Sequence, residues 1–122
     1  MTDPATLDAV RLRQLRELAE LSGPGIVREL FEVFLREAPQ LVERLGQAAL
    51  ASDARGLEDT AHRLKGASLS AGAGSMADTC RRLEALGRAS RVEGALELCQ
   101  RLQGELARTT SEMRELILRD EL

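Results

Sequence analysis

The sequence predicts an all-α fold: an antiparallel up-down four-helix bundle with an additional N-terminal helix. Three observations carry that expectation. Apolar residues recur at steps of three and four along most of the 122 residues. No stretch alternates with period two, the pattern of a half-buried strand. Glycine, proline and short polar caps interrupt the periodic runs at brief intervals, so consecutive helices must fold back on one another. Composition agrees. Hydrophobic residues make up 43% and aromatics 2%, namely Phe31 and Phe34, so the core is built mainly of Leu and Ala, which lose little freedom in a helix. One domain, 1–122, accommodates the whole chain.

Each element can be justified in order. Asp3-Pro4 reads as an N-cap acceptor followed by proline at the first helical position. The N-terminal helix then covers about 4–21, with Leu7, Val10, Leu18 and Leu21 along one face, and Ser22-Gly23-Pro24-Gly25 interrupts it. The bundle spans about 24–119. Its first helix carries Val27, Leu30, Phe34, Ala38, Leu41, Leu45 and Ala48 as one buried stripe. Pro39 lacks a backbone donor and crowds the preceding turn, so a kink or break is expected near residues 36–39. Ser52-Asp53 caps a helix over about 54–71 that turns Leu57, Ala61, Leu64, Ser68 and Ala71 inward, and Gly72-Ala73-Gly74 ends it. Ser75-Met76-Ala77-Asp78 resembles a capping box and starts a helix to about Ala89. Ser90-Arg91-Val92-Glu93 matches the capping box itself. The last helix then runs to about Arg119, with Val92, Cys99, Leu106 and Met113 on one line and Leu96, Leu102, Thr109 and Leu116 filling the stripe.

Charge excludes several function classes. The net charge of −3 and pI of about 5.3 argue against a nucleic-acid binder, which needs a clustered basic surface. The scarcity of aromatics removes base-stacking platforms. No apolar stretch approaches the roughly 20 residues of a membrane span, and no signal-peptide core is visible, so no membrane association and a cytoplasmic address are expected. Two cysteines, Cys80 and Cys99, are too few for a disulfide scaffold or a zinc site; they are read as free thiols in the core, level with each other if the last two helices are antiparallel about Ser90. No metal or cofactor site is expected.

The chemistry centres on His62, the single histidine. Its neighbour Ala61 lies on the core stripe, which puts His62 at the edge of that stripe and partly in solvent. Gly66 lies one turn on. A glycine inside a helix costs roughly 1 kcal/mol relative to alanine, and its missing side chain opens room beside the imidazole for another protein; close helix packing is the alternative. Lys65, at i+3, can bring an ammonium to a group carried on the ring. A phosphoryl group there would carry about −2 charge and would suit a flexible cation. If the helices on either side of Ala73 are antiparallel, His62 falls level with Glu84. A carboxylate there can accept from Nδ1–H and fix the tautomer that leaves Nε2 nucleophilic. Arg88, one turn past Glu84, adds positive charge at the same end; a surface ion pair of Glu84 with Arg81 or Arg88 is the alternative.

His62-Arg63-Leu64-Lys65-Gly66 resembles the H-x-L-K-G signature of the histidine-containing phosphotransfer (HPt) family of two-component phosphorelays. Phe34-Leu35-Arg36-Glu37-Ala38-Pro39 is similar to the stretch before that family's active helix, Gly72-Ala73 to the helix end, and Cys80-Arg81-Arg82-Leu83-Glu84 to its C-x-x-L-E segment. Together these cover roughly residues 25–105. Ala67 stands where the family commonly has Ser, and Met76 where it has Leu. The resemblance implies a phosphorelay intermediate: His62 as phosphoryl acceptor, Lys65 beside the phosphoryl group, Glu84 on the imidazole. It implies response-regulator receiver domains as partners, with a hybrid sensor histidine kinase upstream, and Mg2+ in the partner receiver rather than here. A monomeric carrier is expected, not an enzyme, since no Gly-rich ATP site is visible. The competing readings are a phosphoacceptor domain of a chemotaxis-type kinase and a non-catalytic helical scaffold, the latter favoured by a buried His62 ring.

Overall fold

The computed structural model describes residues 7–23 and 25–119. Five helices follow in order: α1 (Ala9–Ser22), α2 (Ile26–Leu50), α3 (Ala54–Ala71), α4 (Gly74–Arg88) and α5 (Ala95–Arg119). No strand occurs among the described residues. Helix α3 packs on α2 and α4, and α5 closes the ring against α2 and α4, while α1 leans on α2 from outside. This is the four-helix bundle with an extra N-terminal helix. Its centre holds Phe31, Leu45, Leu57, Leu64, Met76, Leu83, Leu102 and Met113, all fully buried. Each such side chain contributes on the order of 1.5–3 kcal/mol by leaving water.

Helix α3 spans the residues its caps predict. The Asp53 carboxylate accepts from the Gly56 N–H at 2.9 Å. Gly72, at φ 81°, closes the other end, with Ala73 N–H donating to Ser68 O at 2.8 Å. Leu57, Ala61, Leu64, Ser68 and Ala71 are its buried residues, the five expected.

Elsewhere the structure corrects the sequence reading. Asp3-Pro4 lies outside the described residues. Helix α1 as described begins at Ala9, with the Asp8 side chain accepting from Val10 N–H and Arg11 N–H. Its buried residue is Leu15, flanked by the half-buried Leu12 and Ala19, whereas Val10, Leu18 and Leu21 face solvent. Two anchors set this rotation: Asp8 N–H donates to Gly72 O at 2.6 Å and Arg11 Nε to Ser70 O at 3.2 Å. Helix α2 runs unbroken through Pro39. Pro39 sits on the exposed side, where a carbonyl that loses its helical donor can bond to water. Its fully buried line also takes in Phe31, while Leu30 is only partly covered.

The two proposed capping boxes fail for different reasons. Ser75 is already inside α4, because the tight left-handed turn at Gly72 lets the helix start at Gly74. Ser90 adopts φ 57° and closes α4 instead of opening α5; Arg91 N–H then reaches Leu86 O at 2.9 Å. A residue that satisfies the carbonyls behind it cannot also cap the amides ahead of it. Helix α5 therefore begins only at Ala95. Leu96 is exposed, Leu106 and Leu116 sit at the edge, and the charged Glu105 is buried.

Candidate functional site

Helices α3 and α4 approach each other unusually closely at Gly87. A Cβ there would lie 2.5 Å from Ala54 O and 2.6 Å from Glu58 N. Only glycine allows that backbone contact. It draws the C-terminal half of α4 onto the face of α3 that carries His62, and the side chains one turn either way meet across the seam.

Glu84 is the hub. It is buried to 5% exposure, yet both carboxylate oxygens are occupied. Oε2 lies 2.6 Å from His62 Nδ1, and Oε1 accepts from Lys65 Nζ at 2.6 Å. Arg88 NH2 stands 3.6 Å from the same Oε2. The Lys65 hydrogen bond foremost, with that from His62, holds the Glu84 carboxyl below its ordinary value against burial, which pushes it up. Glu84 is therefore ionised at neutral pH, and an ionised carboxylate can only accept. The proton in this contact belongs to Nδ1, so in the neutral ring Nε2 keeps its lone pair. The imidazole itself is open to solvent, its side chain 71% exposed, which removes the buried ring that would favour a scaffold.

The structure thus brings together His62, Lys65, Glu84 and Arg88. Lys65 is committed to Glu84 in this state, not poised free beside the ring. Arg81 takes no part in the cluster and pairs with Asp78. Gly66 is exposed, and a Cβ on it would meet nothing within 4 Å, so it is not a helix-packing glycine. A shallow depression beside the ring is lined by Arg55, Glu58, Asp59, His62, Glu84 and Arg88. Among the described residues no group of three or more His, Cys, Asp or Glu could hold a metal ion, and no helix is long and apolar enough to cross a membrane.

The chain matches the Hpt domain over residues 29–112, more than half its length. The chain belongs to the Hpt domain family. It is also similar to a solved structure, histidine-containing phosphotransfer protein B (HptB) from Pseudomonas aeruginosa PAO1. The two share 28% identity at a TM-score of 0.83, over 96% of this chain and 98% of that one. A search of curated proteins found no match. Hpt domains are phosphocarriers rather than classical enzymes, and they interact with receiver domains and kinases. This chain is accordingly a histidine phosphotransfer intermediate of two-component signalling.

Two residues beside His62 escape the sequence reading. Glu58, one turn before His62, bonds Arg88 Nε through Oε2 at 3.2 Å. The signal was available: the level-counting about Ala73 that pairs His62 with Glu84 also pairs Glu58 with Arg88. Gly87 had no comparable signal, since nothing in the sequence separates a close-approach glycine from an ordinary one.

Proposed function

We propose that His62 accepts the phosphoryl group through Nε2 from a receiver aspartyl phosphate and returns it to a second receiver. The observation that carries this reading is an exposed imidazole whose Nδ1 is held at 2.6 Å by a buried, ionised carboxylate. The bookkeeping of the step explains why a carboxylate suits that position. The Nε2–P bond forms as the P–O bond to the receiver aspartate breaks, and the aspartate leaves as a carboxylate. The ring keeps its Nδ1 proton and so becomes a phosphoryl-imidazolium. Glu84 faces that new positive charge, while Lys65 can turn from Glu84 Oε1 towards the phosphoryl oxygens. In this reading Glu84 is a positioning residue, and Arg88 adds positive charge beside the phosphoryl group. Gly66 leaves the flank of the ring clear for the receiver, whose own Mg2+ would supply the remaining charge stabilisation. The domain works as a monomeric carrier without an ATP site of its own.

The test is transfer from a phosphorylated receiver in the presence of magnesium. Acid-labile, base-stable label on wild type and none on His62→Gln is the expected result. Undiminished labelling of that variant would reject His62 as the acceptor.

A further inference from the structure

We propose that Glu58 is a positioning residue for Arg88, holding its guanidinium beside His62 so that the terminal nitrogens are presented to the incoming phosphoryl group. The proposal rests on the carrier reading above. Arg88 is a long side chain, 68% exposed, on the last residue of α4. Left alone there, it would sample many rotamers. Three contacts restrict it. The Gly87 backbone lies against Ala54 and Glu58, which fixes where the Arg88 Cα stands relative to α3. Glu58 Oε2, on a side chain only 33% exposed, accepts from Nε at 3.2 Å. NH2 lies 3.6 Å from Glu84 Oε2, the oxygen that His62 Nδ1 also touches.

The choice of Nε matters. A guanidinium has five donors in a planar fork, and a bond through Nε leaves NH1, and the N–H of NH2 that does not face Glu84, able to meet a phosphoryl oxygen. Glu58 therefore does not compete with the phosphoryl group for the end of the fork that would bind it. All three side chains line the one depression beside the imidazole. A competitor or a purely repulsive charge would make removal of Glu58 accelerate phosphorylation; a positioning residue makes it slow.

Phosphoramidate is the probe, because a small donor takes receiver docking out of the measurement. Nε2 of His62 forms the bond to phosphorus, the P–N bond breaks, and the nitrogen departs as ammonia. Wild type is expected to label and His62→Gln not to. Glu58→Ala should label about fivefold more slowly, within the range one exposed ion pair can supply. Glu58→Gln should stay near wild type, since its amide oxygen still accepts from Nε. Arg88→Ala should be as slow as Glu58→Ala, and the double variant no slower than Arg88→Ala. The Arg88 Nε–Hε resonance should be protected from exchange in wild type and lose that protection in Glu58→Ala, which needs no phosphorylation to read. Label on His62 with Glu58→Ala at or above the wild-type rate, or a double variant slower than Arg88→Ala, overturns the role of Glu58 and leaves the carrier reading standing. Absence of label from wild type sinks the carrier reading, and this inference with it.

Discussion

Helix α4 meets its two neighbours through seams of different chemistry. Against α3 it presents Gly87 to backbone and Glu84 to two cationic or protonated partners, one of them open to solvent. Against α5 it presents Thr79, whose hydroxyl donates to Glu105 Oε1 at 2.6 Å, and Cys80. Glu84 and Glu105 are buried to a similar degree, 5% and 2%. Their partners separate them. Glu84 has Lys65 and His62 in direct contact, whereas Glu105 has one hydroxyl and an Arg101 guanidinium at 3.8 Å. One carboxylate relays its charge to the surface through an imidazole; the other is enclosed and serves to hold two helices in register. On the enclosed side burial, with Glu105 beside it, pushes the Cys80 thiol up to about 12, so it is inert at neutral pH. Cys99, whose thiol burial also pushes up, is the other free thiol of the core.

The largest expected effect breaks the α3 seam outright. Gly87→Ala would drive a methyl group into Ala54 O, Glu58 N and Glu58 Cα, all backbone atoms that cannot swing aside. Overpacking of this kind costs about 3 kcal/mol, and urea titration should show it together with slow transfer, because Glu84 retreats from His62. A wild-type midpoint would mean the helices do not approach as closely as described. On the α5 seam, Thr79→Val strips the buried carboxylate of its hydroxyl donor. A hydrogen bond to a charged group is worth about 2 kcal/mol, so stability should drop by that amount while the transfer rate stays at wild type. A drop in rate would show that the two seams are coupled.

Glu84→Ala should give the converse result. Lys65 can turn to water and the imidazole is already exposed, so neither partner is left buried and unpaired, and stability should fall by no more than about 2 kcal/mol, the loss expected of Thr79→Val. Transfer should slow roughly tenfold, equivalent to about 1.4 kcal/mol of barrier. Equal rates for variant and wild type would reject the orienting role. Gly66→Ala sharpens the contrast between the two glycines. With open space around its Cβ, alanine should stabilise α3 by about 1 kcal/mol. It should slow transfer from a receiver yet leave labelling by phosphoramidate unchanged. Slowing of both would place the methyl group's effect on the imidazole rather than on docking.

Much of this was legible in the sequence, and the failures share a cause. Helix α3 was readable because its cap, its stripe and its terminal glycine all agree, and a single antiparallel turn at Ala73 sufficed to find Glu84. Helix α1 was not, because it has apolar residues on two faces. Its rotation is set by hydrogen bonds to Gly72 and Ser70, some sixty residues away in sequence, which no local pattern encodes. Ser75 and Ser90 look like caps, but the turn at Gly72 starts α4 ahead of Ser75, and Ser90 is taken up in closing α4. The burial of Glu105 has no mark in the sequence, since a lone charge in a helix is normally solvated; it follows from which face of α5 meets Thr79. Local pattern located the His62–Glu84 pair, and tertiary contacts decided which charged groups gather around it.

The finest distinction between the seams is in their response to acid. Lys65 and His62 hold the Glu84 carboxyl below its ordinary 4.5 in the folded chain. A depressed folded value means that this contribution to stability is complete above the unfolded value and is lost as pH falls through the folded one. Imidazole titration is removed by working in the His62→Gln background, which leaves Lys65, the larger cause, in place. There the stability difference between Glu84 and Glu84→Gln should be level above about pH 5 and should shrink progressively below 4.5. The shrinkage should vanish when Lys65→Met is added, since the ammonium is what favours the ionised carboxylate. A difference that ran level into acid with Lys65 present would show that the ion pair at 2.6 Å does not persist in solution, and the α3 seam would then owe its geometry to Gly87, the apolar core and the Arg88–Glu58 contact rather than to Lys65.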